Sequence, residues 1–186
     1  MNGKLTTRGW RDSGPNFGRV SRWLHWGFVG VFFVAIPLGI WGANAQIGPL
    51  QLVLLTVHKS LGVGLGVFWL FRLSWRLSQG WPDAITDSRV LNIAAKVAHW
   101  GLYALILSAV LSGWAYSNAA AFPVSFFGLF ELPTLLPANE IQAARLKQLH
   151  HLVVFALLGL VALHLIAAFY HHRYLRDDSL RRMLGR

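Results

Sequence analysis

A chain of 186 residues that is 55% hydrophobic and only 13% charged, with a mean hydropathy of +0.47, departs from soluble domains, which carry about 25% charged residues. Its formal net charge of +10 would suggest nucleic acid in a soluble protein, but the basic residues cluster at the ends of apolar runs, so membrane topology and anionic lipid account for them and no nucleic-acid partner is expected. With no cysteine, disulfides and thiolate-bound metal groups are excluded.

Residues 1–22 hold no apolar run followed by a small-residue cleavage site, so no cleavable signal is expected and the first span acts as its own insertion signal. Four stretches approach the roughly 20 apolar residues that cross a bilayer core. The first, 23–42, is interrupted by His25 and by Pro37, a candidate kink that a membrane bundle tolerates. The second, 50–71, carries His58 and Lys59, and the third, 97–115, opens with His99. The fourth, 149–170, carries His150, His151 and His164. Between them, 43–49 is short and uncharged, and 72–96 is polar with Pro82, Asp83, Asp87 and Arg89. The stretch 117–148 contains Phe122-Pro123-Val124-Ser125-Phe126-Phe127-Gly128, Leu132-Pro133 and Leu136-Pro137, and is expected to be a structured loop or a short interfacial helix rather than a fifth span. The expectation is an all-α membrane protein: one domain over 1–186, folded as a bundle of four transmembrane helices.

Lys4, Arg8, Arg11, Arg19 and Arg22 precede the first span, Arg72, Arg76, Arg89 and Lys96 lie between the second and third, and Arg173, Arg176, Arg181, Arg182 and Arg186 follow the fourth. That places fourteen basic residues on one side against Lys59, Arg145 and Lys147 on the other, so the positive-inside rule puts both termini in the cytoplasm.

Orientation turns position into depth. His25 and His99 fall near the cytoplasmic end, His58 and His150 in the outer half, and His164 deeper along the fourth span. His150 and His164 are fourteen residues apart, which is about 21 Å along a helix and leaves an angular offset of about 40°. His151 is offset from His164 by about 140° and leaves that face, whereas His171 returns to within about 20° and approaches the inner layer from below. Two layers follow: His58 with His150 outside, and His164 with His25 or His99 inside. A six-coordinate haem needs two imidazoles on facing helices at one height, and both layers provide them. A single histidine in a span can instead bond a neighbouring helix or line a polar cavity, but two depth-matched pairs are harder to explain that way. His99, beside Trp100, reads equally as an interfacial anchor, and His151, His171 and His172 read as interfacial.

Gly62, Gly64, Gly66 and Gly113 offer either room for a flat macrocycle or close helix packing. Arg19, Arg22, Arg72 and Arg76 read as snorkelling anchors or as partners of haem propionates. Lys59, next to His58 on the side poor in positive charge, could meet a propionate or attract a small anion.

The segments Arg22-Trp23-Leu24-His25-Trp26, His58-Lys59-Ser60-Leu61-Gly62, Arg72-Leu73-Ser74-Trp75-Arg76 and Ala98-His99-Trp100-Gly101-Leu102-Tyr103 form part of a wider pattern. It continues through Val124-Ser125-Phe126-Phe127-Gly128, Leu149-His150, Leu163-His164, His171-His172 and Asp177-Asp178-Ser179-Leu180-Arg181-Arg182-Met183. In order, spacing and topology, over about residues 19–184, the chain resembles the bacterial cytochrome b561 family of di-haem, four-helix inner-membrane proteins. The resemblance implies two haem b groups, the inner bound by His25 and His164 and the outer by His58 and His150. It leaves His99 and His171 beside the inner haem or at a quinone site. It implies electron exchange with the quinone pool, with ubiquinone as acceptor or donor. The outer partner would be a periplasmic donor or, as in some members of the family, superoxide. Lys59, with Arg145 and Lys147, would then steer the anion. Two alternatives remain at this point: a cytochrome b anchor subunit of a hydrogenase- or formate-dehydrogenase-type complex, and a haem-free membrane scaffold or assembly protein. A soluble enzyme is excluded by the absence of a nucleophile elbow, a phosphate loop or paired buried carboxylates; all seven acidic residues lie outside the proposed spans.

Overall fold

The computed structural model describes residues 9–14, 16–79 and 88–185. Four long helices dominate: α1 (Arg19–Asn44), α2 (Pro49–Gln79), α3 (Arg89–Ala119) and α4 (Glu140–Tyr170). Each is long and apolar enough to cross a membrane. Side chains such as Val34, Leu52, Phe155 and Ile166 project outward, because lipid rather than protein covers the outer face of such a bundle. Helix α1 runs unbroken through Pro37.

The helices outrun the apolar stretches. Arg72 and Arg76 lie on the last turns of α2, Arg89 and Lys96 on the first turns of α3, and Arg145 and Lys147 on the start of α4. The connections expected at 72–96 and 117–148 are therefore shorter than polarity suggested. Hydropathy marks where a helix leaves hydrocarbon, whereas its end depends on backbone hydrogen bonds. The Ser88 side chain accepts from the Leu91 amide, and that of Asn139 accepts from the Gln142 amide, each capping a helix start well outside the apolar stretch. Pro82, Asp83 and Asp87, like Lys4, Arg8 and Arg186, lie outside the described residues.

Helices α1 and α2 pack closely on one another, as do α3 and α4, and the two pairs meet chiefly along α2 and α3. The buried core sits at mid-height, with Phe28, Phe32 and Ala35 of α1 meeting Leu65 of α2 and Leu157 of α4. Leu157 lies midway between His150 and His164, so an apolar layer separates the two histidine heights.

Of the two forms expected for the connection from α3 to α4, the structure shows the structured loop, built on a two-stranded antiparallel hairpin, β1 (Ser125–Phe126) and β2 (Phe130–Glu131), with no interfacial helix. Phe127 (φ 48°) and Gly128 (φ 74°) make its turn. Ser60 of α2, fully buried, fastens it: its one hydroxyl proton lies within reach of the carbonyls of Thr56 and Ser125, at 2.9 and 3.0 Å, and its oxygen accepts from the Phe127 amide at 2.9 Å. Replacing Ser60 by Ala leaves that amide without its acceptor, at a cost of about 1–3 kcal/mol. The expected outcome is a lower melting temperature in detergent, with faster hydrogen exchange at Phe127 than in the wild type.

Candidate functional site

Five histidines, His25, His58, His99, His150 and His164, lie half-buried and face the interior, while His151 is exposed. At the hairpin end of the bundle, His58 of α2 and His150 of α4 have ring centroids 6.4 Å apart and planes inclined at 75°. At the end that carries both terminal segments, His25 of α1 and His164 of α4 are 6.5 Å apart with planes at 63°. His99 of α3 also faces His164, with centroids 5.5 Å apart.

These separations discriminate. A metal–imidazole bond of about 2 Å on each side, plus about 1.2 Å from each nitrogen to its ring centre, puts two collinear imidazoles about 6.4 Å apart. The His58–His150 and His25–His164 pairs match that separation, and His99–His164 falls about 1 Å short of it. Two donors complete a coordination sphere only when the metal brings its own equatorial ligands, as in haem. The residues present therefore fit two bis-histidine haems at two heights.

The outer rings rest in matching notches. The Nδ1 of His58 donates to the Ala35 carbonyl of α1 at 2.8 Å, and that of His150 donates to the Ala109 carbonyl of α3 at 3.0 Å. A carbonyl can only accept, so the proton is on Nδ1 and Nε2 keeps the lone pair that a metal needs. Four residues after each alanine stands a glycine beside the same ring. A Cβ at Gly39 would come within 2.6 Å of His58 Cε1, and one at Gly113 within 3.0 Å of His150 Cε1. Gly113 thus makes room for the imidazole of His150 on the neighbouring helix α4. Ser112 adds a hydroxyl 3.2 Å from His150 Nδ1. Of the glycines in α2, Gly66 packs toward Val110, while a Cβ at Gly62 or Gly64 would meet no atom within 4 Å. Sequence reading missed Ala35, Gly39, Ala109 and Ser112; the Ala-x3-Gly spacing preceding each partner helix was the available signal.

At the other end, the Nδ1 of His99 donates to the Ala95 carbonyl of its own helix at 2.6 Å. Arg72 lies close enough for its charge to act on His25, His99 and His164, and its Nε donates to the Tyr103 hydroxyl at 3.3 Å. Arg76 approaches Asp12 at 4.0 Å. Lys59 reaches the end of α3 and the loop that leads to the hairpin, where its Nζ donates to the Pro123 carbonyl at 3.0 Å and to Ser117 Oγ at 3.4 Å and lies over the Phe122 ring. Arg145 and Lys147 are exposed near the start of α4.

A match to the family model described as prokaryotic cytochrome b561 covers residues 16–186. The chain belongs to the prokaryotic cytochrome b561 family. It is 29% identical to cytochrome b561 homolog 2 of Escherichia coli (strain K12), across 91% of this chain and 92% of that protein. It is 28% identical to cytochrome b561 homolog 1 of the same organism, across 91% and 97%. A third relative, 29% identical across 69% of this chain and 73% of its own, is the probable superoxide oxidase CybB of Yersinia pestis. The chain is thus a multi-pass membrane cytochrome of this family, and membership implies haem b.

After α4 the backbone widens into a π-helical turn, His171–Leu175, and Arg176 takes a left-handed conformation (φ 53°). There His171 Nδ1 bonds Asp177 Oδ2, and Asp177 Oδ1 accepts from the Ser179 amide at 2.9 Å, starting the short helix α5 (Ser179–Leu184). Burial works against the charge of Asp177, but the hydrogen bonds from Ser179 and His171 outweigh it and hold its carboxyl below the ordinary carboxylate range. A depressed carboxyl stabilises the fold above its unfolded value of about 3.9, and that stability is lost as pH falls through the folded value. Asp177→Asn is therefore expected to melt earlier than wild type at neutral pH, with the difference closing below about pH 4. Paired thermal melts across that range check it.

Proposed function

We propose that the protein is a di-haem transmembrane electron carrier that takes electrons from superoxide at the hairpin end and delivers them to ubiquinone at the other. The observation that carries this reading is the pair of histidine couples, each at an iron-spanning separation and set on either side of an apolar layer. His58 and His150 hold the outer haem and His25 and His164 the inner one. Bound there, haem b supplies a one-electron couple at each height.

The chain's own residues do the rest. His58 and His150 would both be occupied in holding the outer group, so an outer donor would pass its electron without binding a metal. Phe28, Phe32, Leu65 and Leu157 keep water out between the layers. The hairpin end faces the periplasm and the basic end, with both termini, faces the cytoplasm. Each superoxide gives up one electron and leaves as dioxygen; two electrons and two protons convert a quinone to its quinol. The similarity to a probable superoxide oxidase supports the choice of donor. His99 and His171, at the basic end, are the residues placed to meet the quinone. Membrane lipid surrounds the bundle, and anionic headgroups suit its basic end.

The purified protein is expected to show two low-spin b haems per chain in its reduced-minus-oxidised spectrum. His58→Ala or His150→Ala should leave one, whereas His99→Ala should keep both. Loss of a haem in His99→Ala with retention in His25→Ala would reverse the inner assignment.

Lys59, Arg145 and Lys147 are the cations of the outer side, and attraction of an anion is their role in this reading. Because Lys59 also holds the Pro123 carbonyl, Lys59→Gln separates charge from anchoring. Its superoxide-driven haem reduction is expected to slow roughly two- to tenfold at low ionic strength and to approach the wild-type rate at high salt. Stopped-flow rates that ignore both the substitution and the salt would remove Lys59 from the steering role.

A further inference from the structure

The tail after α4 turns back beneath the bundle and joins the turn of α1 that carries His25. Trp26 Nε1 donates to the Met183 carbonyl at 2.9 Å, although 157 positions separate the two residues. The Trp26 ring also meets the His25 ring edge-on, with centroids 5.1 Å apart. Arg22, one turn earlier, lies so close to Gly185 that a Cβ there would overlap its guanidinium. Helix α5 is therefore built against the His25 turn.

Within α5, Arg182 Nε is buried and has no hydrogen-bond partner among the described residues. A guanidinium nitrogen withdrawn from water without an acceptor is costly, and its usual remedy is a carboxylate held by two parallel hydrogen bonds. None of the acids among the described residues pairs with Arg182. Asp177 serves His171 and Ser179, Asp178 lies 3.6 Å from Arg181, and Asp12 accepts from Gly18 and Ser21 through Oδ1 while its Oδ2, without a hydrogen bond, lies 4.0 Å from Arg76. An acceptor for Arg182 must therefore come from outside this set, and the binding position on the helix turn to which α5 is fastened is the His25–His164 pair, since Trp26, which holds Met183, follows His25. The porphyrin of haem b carries two propionate carboxylates, and a cation near the edge of the macrocycle matches them in charge and shape.

We infer that Arg182 binds a propionate of the group held between His25 and His164, so that α5 forms one wall of the inner haem site rather than a free tail. Arg72, whose charge reaches the same histidines, is the second cation of that site. The inference rests on the di-haem reading above. It explains why a six-residue helix is fastened to α1 by Trp26 as well as through Asp177.

The test is a redox titration of the purified full-length protein and its Arg182→Gln and Arg182→Lys variants, with haem quantified per chain. The inner haem is identified as the one missing from His164→Leu. A nearby cation favours the reduced haem, so Arg182→Gln should lower the inner midpoint potential or lose the inner haem alone. The outer potential should stay in place, and Arg182→Lys should restore most of the difference. The unchanged outer haem reports that the bundle is intact. Unchanged potentials at full haem content, or equal shifts of both haems, would overturn the role of Arg182 and leave the di-haem reading standing. A wild-type protein without two b haems would instead remove the reading on which it rests.

Discussion

An imidazole inside a membrane has two nitrogens to satisfy and no water to satisfy them with, and the bundle is organised around that demand. One nitrogen of His58 and one of His150 donate to a carbonyl on the adjacent helix. That fixes the tautomer, turns the second nitrogen toward the opposite ring, and removes the rotational freedom that a flexible ligand would lose on binding. The carbonyl is reachable only because the neighbouring helix is stripped of bulk there: alanine supplies the acceptor, and glycine one turn on supplies the space. The arrangement occurs twice, between α1 and α2 and between α3 and α4, so each helix pair orients its own histidine at the hairpin end.

The meeting of those pairs is correspondingly light. Besides the mid-height core, in which Phe28, Phe32, Ala35 and Leu65 meet Leu157, and Gly66 against Val110, it uses Trp69, whose indole donates to the Tyr103 carbonyl at 2.8 Å, and Arg72 against the Tyr103 hydroxyl. The histidine couples cross this same divide, each with one ring on the α1–α2 side and one on α4. Metal ligation across it would join the two halves, so that cofactor binding and bundle stability are linked: whatever binds only the assembled form stabilises it.

Both ends are closed by chain that comes back. At one end Ser60 pins the β1–β2 hairpin to α2 and Lys59 holds the loop that leads to it; at the other, Trp26 fastens α5 to α1, with Arg22 close against Gly185. Two of these four anchors immediately follow His58 and two flank His25 within one turn. Closure is thus coupled to the helix turns that bear His58 and His25, and Lys59 holds the loop at Pro123.

The amino-acid sequence by itself determined the four spans, their basic asymmetry and the two heights of histidine, because hydrocarbon thickness and helical rise convert residue spacing directly into depth. His150 was separable from His151 for the same reason, and the structure leaves His151 exposed. Spacing along one helix says nothing about the distance between helices, so the inner partner of His164 stayed open on residue spacing alone. Only the tertiary structure decided that His25 stands at 6.5 Å and His99 at 5.5 Å. The Ala-x3-Gly spacing hinted at the Ala35–Gly39 and Ala109–Gly113 notches without naming the ring that fills them, and the hairpin clamp on Ser60 and the return of α5 to Trp26 were invisible for the same reason. Each joins residues on different elements, and such contacts depend on how helices pack, which local hydropathy and phase do not encode.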